Sequence, residues 1–226
     1  FLYDGLGRLR ERVEYSAIMV APTNPPPEEE SAMAVGVMGE QDSQQGWEWK
    51  SGTRYLYDGW RVIQDRDTNN VPLVSYTRGV DLSGSMEGAG GIGGLLARSQ
   101  HSSTPALHAF YHADGNGNIT CLINTNQSVV ARYRYDPFGN TVSKTGTLAD
   151  ANVYRFSSKA VHVNSGMYYY GYRFYEPGLQ RWINKDPLAD AANMAYSRSN
   201  EPIVAGWGNS AAETCQAQNL YTFVRN

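Results

Sequence analysis

Long apolar runs are missing from this chain: no stretch approaches the ~18 apolar residues that a membrane-crossing helix needs. Amphipathic helices are nearly missing too. No window of 11 or more residues keeps an i, i+3, i+4 apolar stripe with caps. Only the Ala-rich residues 188–196, after Pro187, suggest one or two helical turns. Charge is sparse at 18% of residues against about 25% in ordinary domains. Lysine is scarce and the net charge is −3, so the clustered cations of a nucleic-acid surface are absent. The two cysteines, Cys121 and Cys215, leave both a bridge and two free thiols open. His101, His108, His112 and His162 show no metal-ligand spacing, and no Ser, His and Asp order suggests a triad. Neither a metal nor another cofactor is expected.

What the chain has instead is glycine, 23 of 226 residues, and tyrosine, 16. Aromatics at 12% supply too much buriable surface for intrinsic disorder. One phrase recurs: Tyr3-Asp4-Gly5-Leu6-Gly7, Tyr57-Asp58-Gly59-Trp60, Tyr135-Asp136-Pro137-Phe138-Gly139, and a degenerate His112-Ala113-Asp114-Gly115-Asn116-Gly117. The last two align at Gly117-Asn118 and Gly139-Asn140, 22 residues apart. Asp-Gly, Gly-Asn and Asp-Pro form turns, because Gly and Asn tolerate positive φ and Pro presets φ. Two strands plus two turns use roughly 20 residues, so each repeat is read as one β-hairpin laid beside the next. Residues 129–135 alternate as a strand: Val129, Ala131, Tyr133 and Tyr135 share one face, and Val130, Arg132 and Arg134 the other. Residues 119–123 and 73–77 read as further strands.

The organisation follows: strands over 1–20, a Pro/Glu-rich loop over 21–47, a β-sheet over 48–153 and a distinct unit over 154–226. The opening Phe1-Leu2-Tyr3-Asp4 reads as the inside of a motif, hence as a piece of a longer polypeptide.

The Tyr-Asp phrases resemble the YD repeats of the RHS proteins. The match sharpens downstream through Gly79-Val80-Asp81-Leu82-Ser83-Gly84-Ser85, the glycine run from Gly88 to Gly94, Tyr154-Arg155-Phe156, the aromatic block 168–175, Arg181-Trp182-Ile183-Asn184-Lys185-Asp186-Pro187 and Asn219-Leu220-Tyr221. Together these resemble the RHS-repeat-associated core that ends the repeat array. The resemblance implies an all-β fold: consecutive hairpins forming part of a spiralling β-shell, or cocoon, with an inward-curling C-terminal plug over 154–226. It implies that the shell encloses a C-terminal polypeptide, often a toxin, in a secreted or cell-surface bacterial protein. The implied partners are the rest of the repeat shell and that cargo; homo-oligomers stay open. Residues 188–218 depart from the family as an atypical insertion.

In several members the core also cleaves the chain beyond it, using aspartates and an arginine. Asp186 is the candidate here, since a carboxylate paired with a second one can share a proton and act as acid and base. Arg181 and Lys185 are candidates for holding it or stabilising an oxyanion. The second acid is expected beyond Asn226. The alternative for Asp186-Pro187 is a plain turn beside a cation. At the level of the protein, the alternative is an extracellular β scaffold or adhesin that contacts glycans or neighbouring copies without cargo.

Two further patterns read as structural. Gly88, Gly90 and Gly93 spell a dinucleotide-type glycine pattern, but no long helix follows, so a close-packed glycine turn is expected. In the aromatic block, Tyr168, Tyr170, Tyr172 and Phe174 are expected to share one face and pack the sheet.

Overall fold

The fold is given by a computed structural model, which describes residues 1–19 and 45–185. Short alternating stretches separated by turn formers yield an antiparallel meander. Ten strands lie side by side in chain order: β1 Leu2–Tyr3, β2 Leu9–Met19, β3 Gln45–Asp58, β4 Arg61–Arg66, β5 Pro72–Arg78, β6 Leu95–Gln100, β7 Leu107–Ala113, β8 Ile119–Asn124, β9 Val129–Tyr135 and β10 Thr141–Thr145. Each pairs antiparallel with the next, and the sheet stays open at both lateral edges. A second antiparallel sheet of four short strands follows: β11 Ala160–Val161, β12 Tyr168–Tyr169, β13 Phe174–Glu176 and β14 Arg181–Trp182. A single 3-10 turn, Phe156–Ser158, is the helical element among the described residues.

Alternation fixes which face is inner. On β9, Ala131 and Tyr133 are buried while Arg132 and Arg134 are exposed, as the sequence pattern requires. Buried residues face one another across neighbouring strands in two rows, Tyr76, Arg98 and Ala109 on β5–β7 and Tyr111, Leu122 and Ala131 on β7–β9. Four tyrosine hydroxyls on this face find acceptors. Tyr76 donates to Asp65, Tyr111 to Asn152, Tyr133 to the Ala149 carbonyl and Tyr135 to the Ile119 carbonyl. Each ring or aliphatic chain so buried contributes about 1.5–3 kcal/mol.

One turn geometry is stamped repeatedly. The Oδ1 of Asp4, Asp114 and Asp136 accepts the backbone N–H groups two and four residues on, and the carbonyl accepts the N–H three residues on. The residue at that third step takes positive φ: Gly7, Gly117 and Gly139. Asp67 and Asn124 build the same turn with Asn70 and Gln127 in the left-handed position, two copies the sequence reading did not single out. The Tyr57-Asp58 phrase departs. It closes a tighter hairpin across Gly59 and Trp60, with Asp58 opposite Arg61.

Two expectations need comment. The glycine pattern is a close-packed turn as anticipated: Gly117, at φ 76, approaches so near that an added Cβ would lie 2.9 Å from the Gly93 nitrogen. The single-face reading of the aromatic block is corrected. The chain reverses between β12 and β13, which resets the alternation and places Tyr168 opposite Tyr175. Those two are buried, whereas Tyr172 sits on the turn at 53% exposure.

Residues 148–155 run across the inner face and seal it. Leu148 N–H donates to the Val130 carbonyl, and Arg155 supplies its carbonyl to the Ile119 N–H. Asn152, with no exposed surface, accepts from Tyr111 and donates to the Tyr154 carbonyl and the Tyr133 oxygen. The expected loop over 21–47 lies outside the described residues up to residue 44, and β3 already begins at Gln45. The insertion 188–218, the short helix at 188–196 and Cys215 also lie outside them.

Replacing Asn152 with Ala strands the Tyr111 hydroxyl and the Tyr154 carbonyl in a dry interior. Chemical denaturation is expected to show a loss of about 2–3 kcal/mol; a loss below about 0.5 kcal/mol would mean that the Asn152 bonds do not hold the inner face.

Candidate functional site

The turns joining odd-numbered strands to the next even-numbered ones all lie along one rim of the large sheet, and the residues from 157 to 177 bind each of them. Tyr169 accepts from the Leu9 N–H, just after the Asp4 turn. Tyr172 packs against Trp60 with ring centres 4.9 Å apart. Lys159 donates to the Gly90 carbonyl. Ser158 donates to the Gly117 carbonyl and accepts from Gly93, while Asn118 accepts from the Ser157 N–H. Tyr168 and Tyr175 donate to the Gly139 and Phe138 carbonyls. The recurring Tyr-Asp phrases therefore mark one rim, and the small sheet is seated on it.

Between this seat and the inner face of β2–β5 lies a cavity of about 540 Å³. Tyr55, Tyr57, Tyr154, Tyr169 and Tyr170 supply its aromatic wall, and Trp60 and Tyr172 meet at its edge. Arg8, Arg12, Arg61, Arg78 and Lys159 line it against Asp65 and Glu87. Several of these charges are spoken for. Arg8 pairs with Asp4, and Arg61 with Asp58 and Glu87. Arg78 donates to the Val62 carbonyl and lies over the Tyr154 ring.

Asp65 accepts from Tyr76 through Oδ2 at 2.7 Å, while its buried Oδ1 has no partner among the described residues. Desolvation pushes its carboxyl up to about 6, against the Tyr76 bond and the nearby Arg12, Arg98 and Arg78. Desolvation also pushes the Lys159 amine down to about 8, with Arg78 adding to it and Asp81 opposing. Asp81, buried in the glycine loop, is the opposite case. Ser83, Gly91 and Ala89 donate to its carboxylate and hold it down at about 2.

The residues singled out for self-cleavage lie elsewhere. Arg181 opens β14, exposed and opposite Glu176 in the register, and Lys185 is exposed at the end of the described residues. Neither lines the cavity. Asp186 lies outside the described residues. What does stand beside Arg181 is Trp182, buried against Tyr170 and Tyr175, with the Arg173 guanidinium 4.0 Å from a ring centre. The sequence reading singled out no cavity: Asp65 sits in no motif, and Lys159, which ends the stretch Tyr154-Arg155-Phe156-Ser157-Ser158-Lys159, entered only as part of the family resemblance. Among the described residues no group of three His, Cys, Asp or Glu gathers as a metal site, and no helix is long and apolar enough to cross a membrane.

No family model matches the chain. Among curated proteins it is similar to the tRNA3(Ser)-specific nuclease WapA of Bacillus spizizenii, 27% identical over 158 residues that cover 66% of this chain and 6% of that protein. It is also similar to toxin subunit YenC1 of Yersinia entomophaga, 32% identical over 81 residues, 34% of this chain and 8% of that one. Among solved structures, the Photorhabdus luminescens Tc holotoxin pore matches 98% of this chain and 8% of its own, at TM-score 0.51 and 16% identity. That likeness is one of fold: the chain is an open, antiparallel, all-β assembly of the kind found in that toxin. The chain thus spans under a tenth of each of these proteins.

Because the Asp65 carboxyl is raised on folding, its protonation favours the folded state. Stability is expected to fall as pH rises from about 4 to about 6, and Asp65→Asn should remove that slope from thermal melts. An unchanged slope in the variant would assign it to another group.

Proposed function

We propose that the chain is one section of the encapsulating shell of an RHS/YD-repeat protein, with the 154–226 unit as its plug and a toxin-type polypeptide beyond it as cargo. The observation that carries this reading is the asymmetry of the large sheet. One rim is capped by the C-terminal strands through every turn along it, whereas both lateral edges are open. A sheet of this form can continue sideways through further hairpins while one end is closed. The named relatives support the toxin context: a toxin subunit, a nuclease and a holotoxin pore. The partners are the neighbouring hairpins of the same shell and the enclosed polypeptide, and the setting is a secreted or cell-surface one. Self-cleavage of aspartyl type beyond the core is part of the same proposal, with Asp186 as one acid and Arg181 or Lys185 beside it.

In the full-length polypeptide, the segment beyond Asn226 is expected to resist a protease dose that digests it when isolated. Equal digestion in both forms would contradict enclosure. For cleavage, Asp186→Asn is expected to slow release of the downstream fragment by about 100-fold or more. Release at the normal rate would remove Asp186 from the chemistry and leave enclosure to the protease result.

A further inference from the structure

The chain contains four lysines. Lys50 and Lys185 are exposed, and Lys144 pairs with Asp150. Lys159 alone lines the cavity, following directly on the 3-10 turn. Its Nζ donates to the Gly90 carbonyl at 2.6 Å and lies 5.3 Å from the Tyr170 ring centre. No carboxylate forms an ion pair with it among the described residues. Asp81 in the glycine loop is occupied by Ser83, Ala89 and Gly91, and Glu87 by Trp60 and Arg61. Asp65 on β4 accepts from Tyr76. The cavity wall also carries Arg61 and Arg78 from the large sheet, and Tyr154, His162 and Tyr170 from the same C-terminal segment as Lys159. An amine desolvated among aromatic rings and set near another cation is in the environment that makes lysine a nucleophile at neutral pH.

We propose that Lys159 is a carbonyl-capturing amine, and that the cavity takes a small aldehyde or ketone bearing an anionic group and holds it as a Schiff base. The deprotonated nitrogen forms a bond to the carbonyl carbon. The carbonyl oxygen leaves as water, carrying the two protons that the nitrogen gives up, so no oxidant or reductant is involved. The anionic group is called for by Arg78 on the wall, which forms no ion pair among the described residues, whereas Arg8, Arg12 and Arg61 are paired with Asp4, Glu14, Asp58 and Glu87. A volume of about 540 Å³ lies within the range of small-molecule sites, roughly 300–1,000 Å³. The lowered Lys159 amine, near 8, leaves a sizeable neutral fraction at physiological pH.

The test is treatment of the intact chain with pyridoxal 5′-phosphate at pH 7.5, borohydride reduction and peptide mass mapping of the four lysines. Lys159 is expected to label about tenfold faster than Lys50, Lys144 or Lys185, with a rate that levels off above about pH 8. Lys159→Arg should lose the fast label with the near-ultraviolet dichroism unchanged. Mapping of the unaltered chain decides the matter even where that variant fails to fold. Labelling spread evenly over the four sites, slowest at Lys159, or rising with one common pH curve would overturn the proposal.

Discussion

A row of backbone groups along one rim is the constraint on which the rest of this structure depends. All but one of the turns on that rim expose carbonyls or N–H groups for which the C-terminal segment supplies partners, and at the Gly59-Trp60 turn the contact is ring packing by Tyr172. Tyr168, Tyr175, Ser158 and Lys159 donate to the carbonyls of Gly139, Phe138, Gly117 and Gly90. Buried backbone groups left without partners would cost about 1–3 kcal/mol each. The glycines are required for this approach as much as for the turns, since a Cβ at Gly117 would meet the Gly93 backbone. Rim and cap therefore hold each other at every turn along this one edge.

The inner face obeys an unusual charge logic. Its buried cations are neutralised mostly by dipoles and rings, not by carboxylates. Arg98, at 3% exposure, donates to the Ala151 carbonyl and Gln100. Arg155 donates to the Asn152 and Ala149 carbonyls and lies over the Tyr133 ring. Such contacts hold the crossing segment 148–155 in one register on the sheet, because each guanidinium fork fits a fixed pair of carbonyls. Tyrosine suits the same face, with a ring that packs and a hydroxyl that reaches a backbone carbonyl. The abundance of tyrosine in the sequence thus has a structural origin on this face.

Much of the sheet was legible in the sequence. The strand at Val129–Tyr135 was readable residue by residue, because one face is buried and alternation then has to show. The Tyr-Asp phrases were readable as turns, since the Asp and Gly positions are set by local hydrogen bonds and φ. What escaped was whatever tertiary contacts decide. Asn124 and Asp67 build the same turn without the tyrosine, so the phrase hid them. Residues 168–175 look like one strand until Gly171, at φ 89, turns the chain back. Asn152 and Asp65 carry no local signature, for their roles arise only when distant segments close over them, and the motif that ends at Lys159 gave no hint of a cavity. Arg181 and Lys185 lie apart from the cavity and Asp186 lies outside the described residues, so the site carried over from the family resemblance is a proposal.

Amide hydrogen exchange tests the mutual dependence of rim and cap most directly. The Ile119 and Gly93 N–H groups, which point at Arg155 and Ser158, should exchange as slowly as the central amides of β8 and β9. Exchange of these two amides at the rate of an open loop, while β8 and β9 stay protected, would show that the C-terminal strands are not seated on the rim.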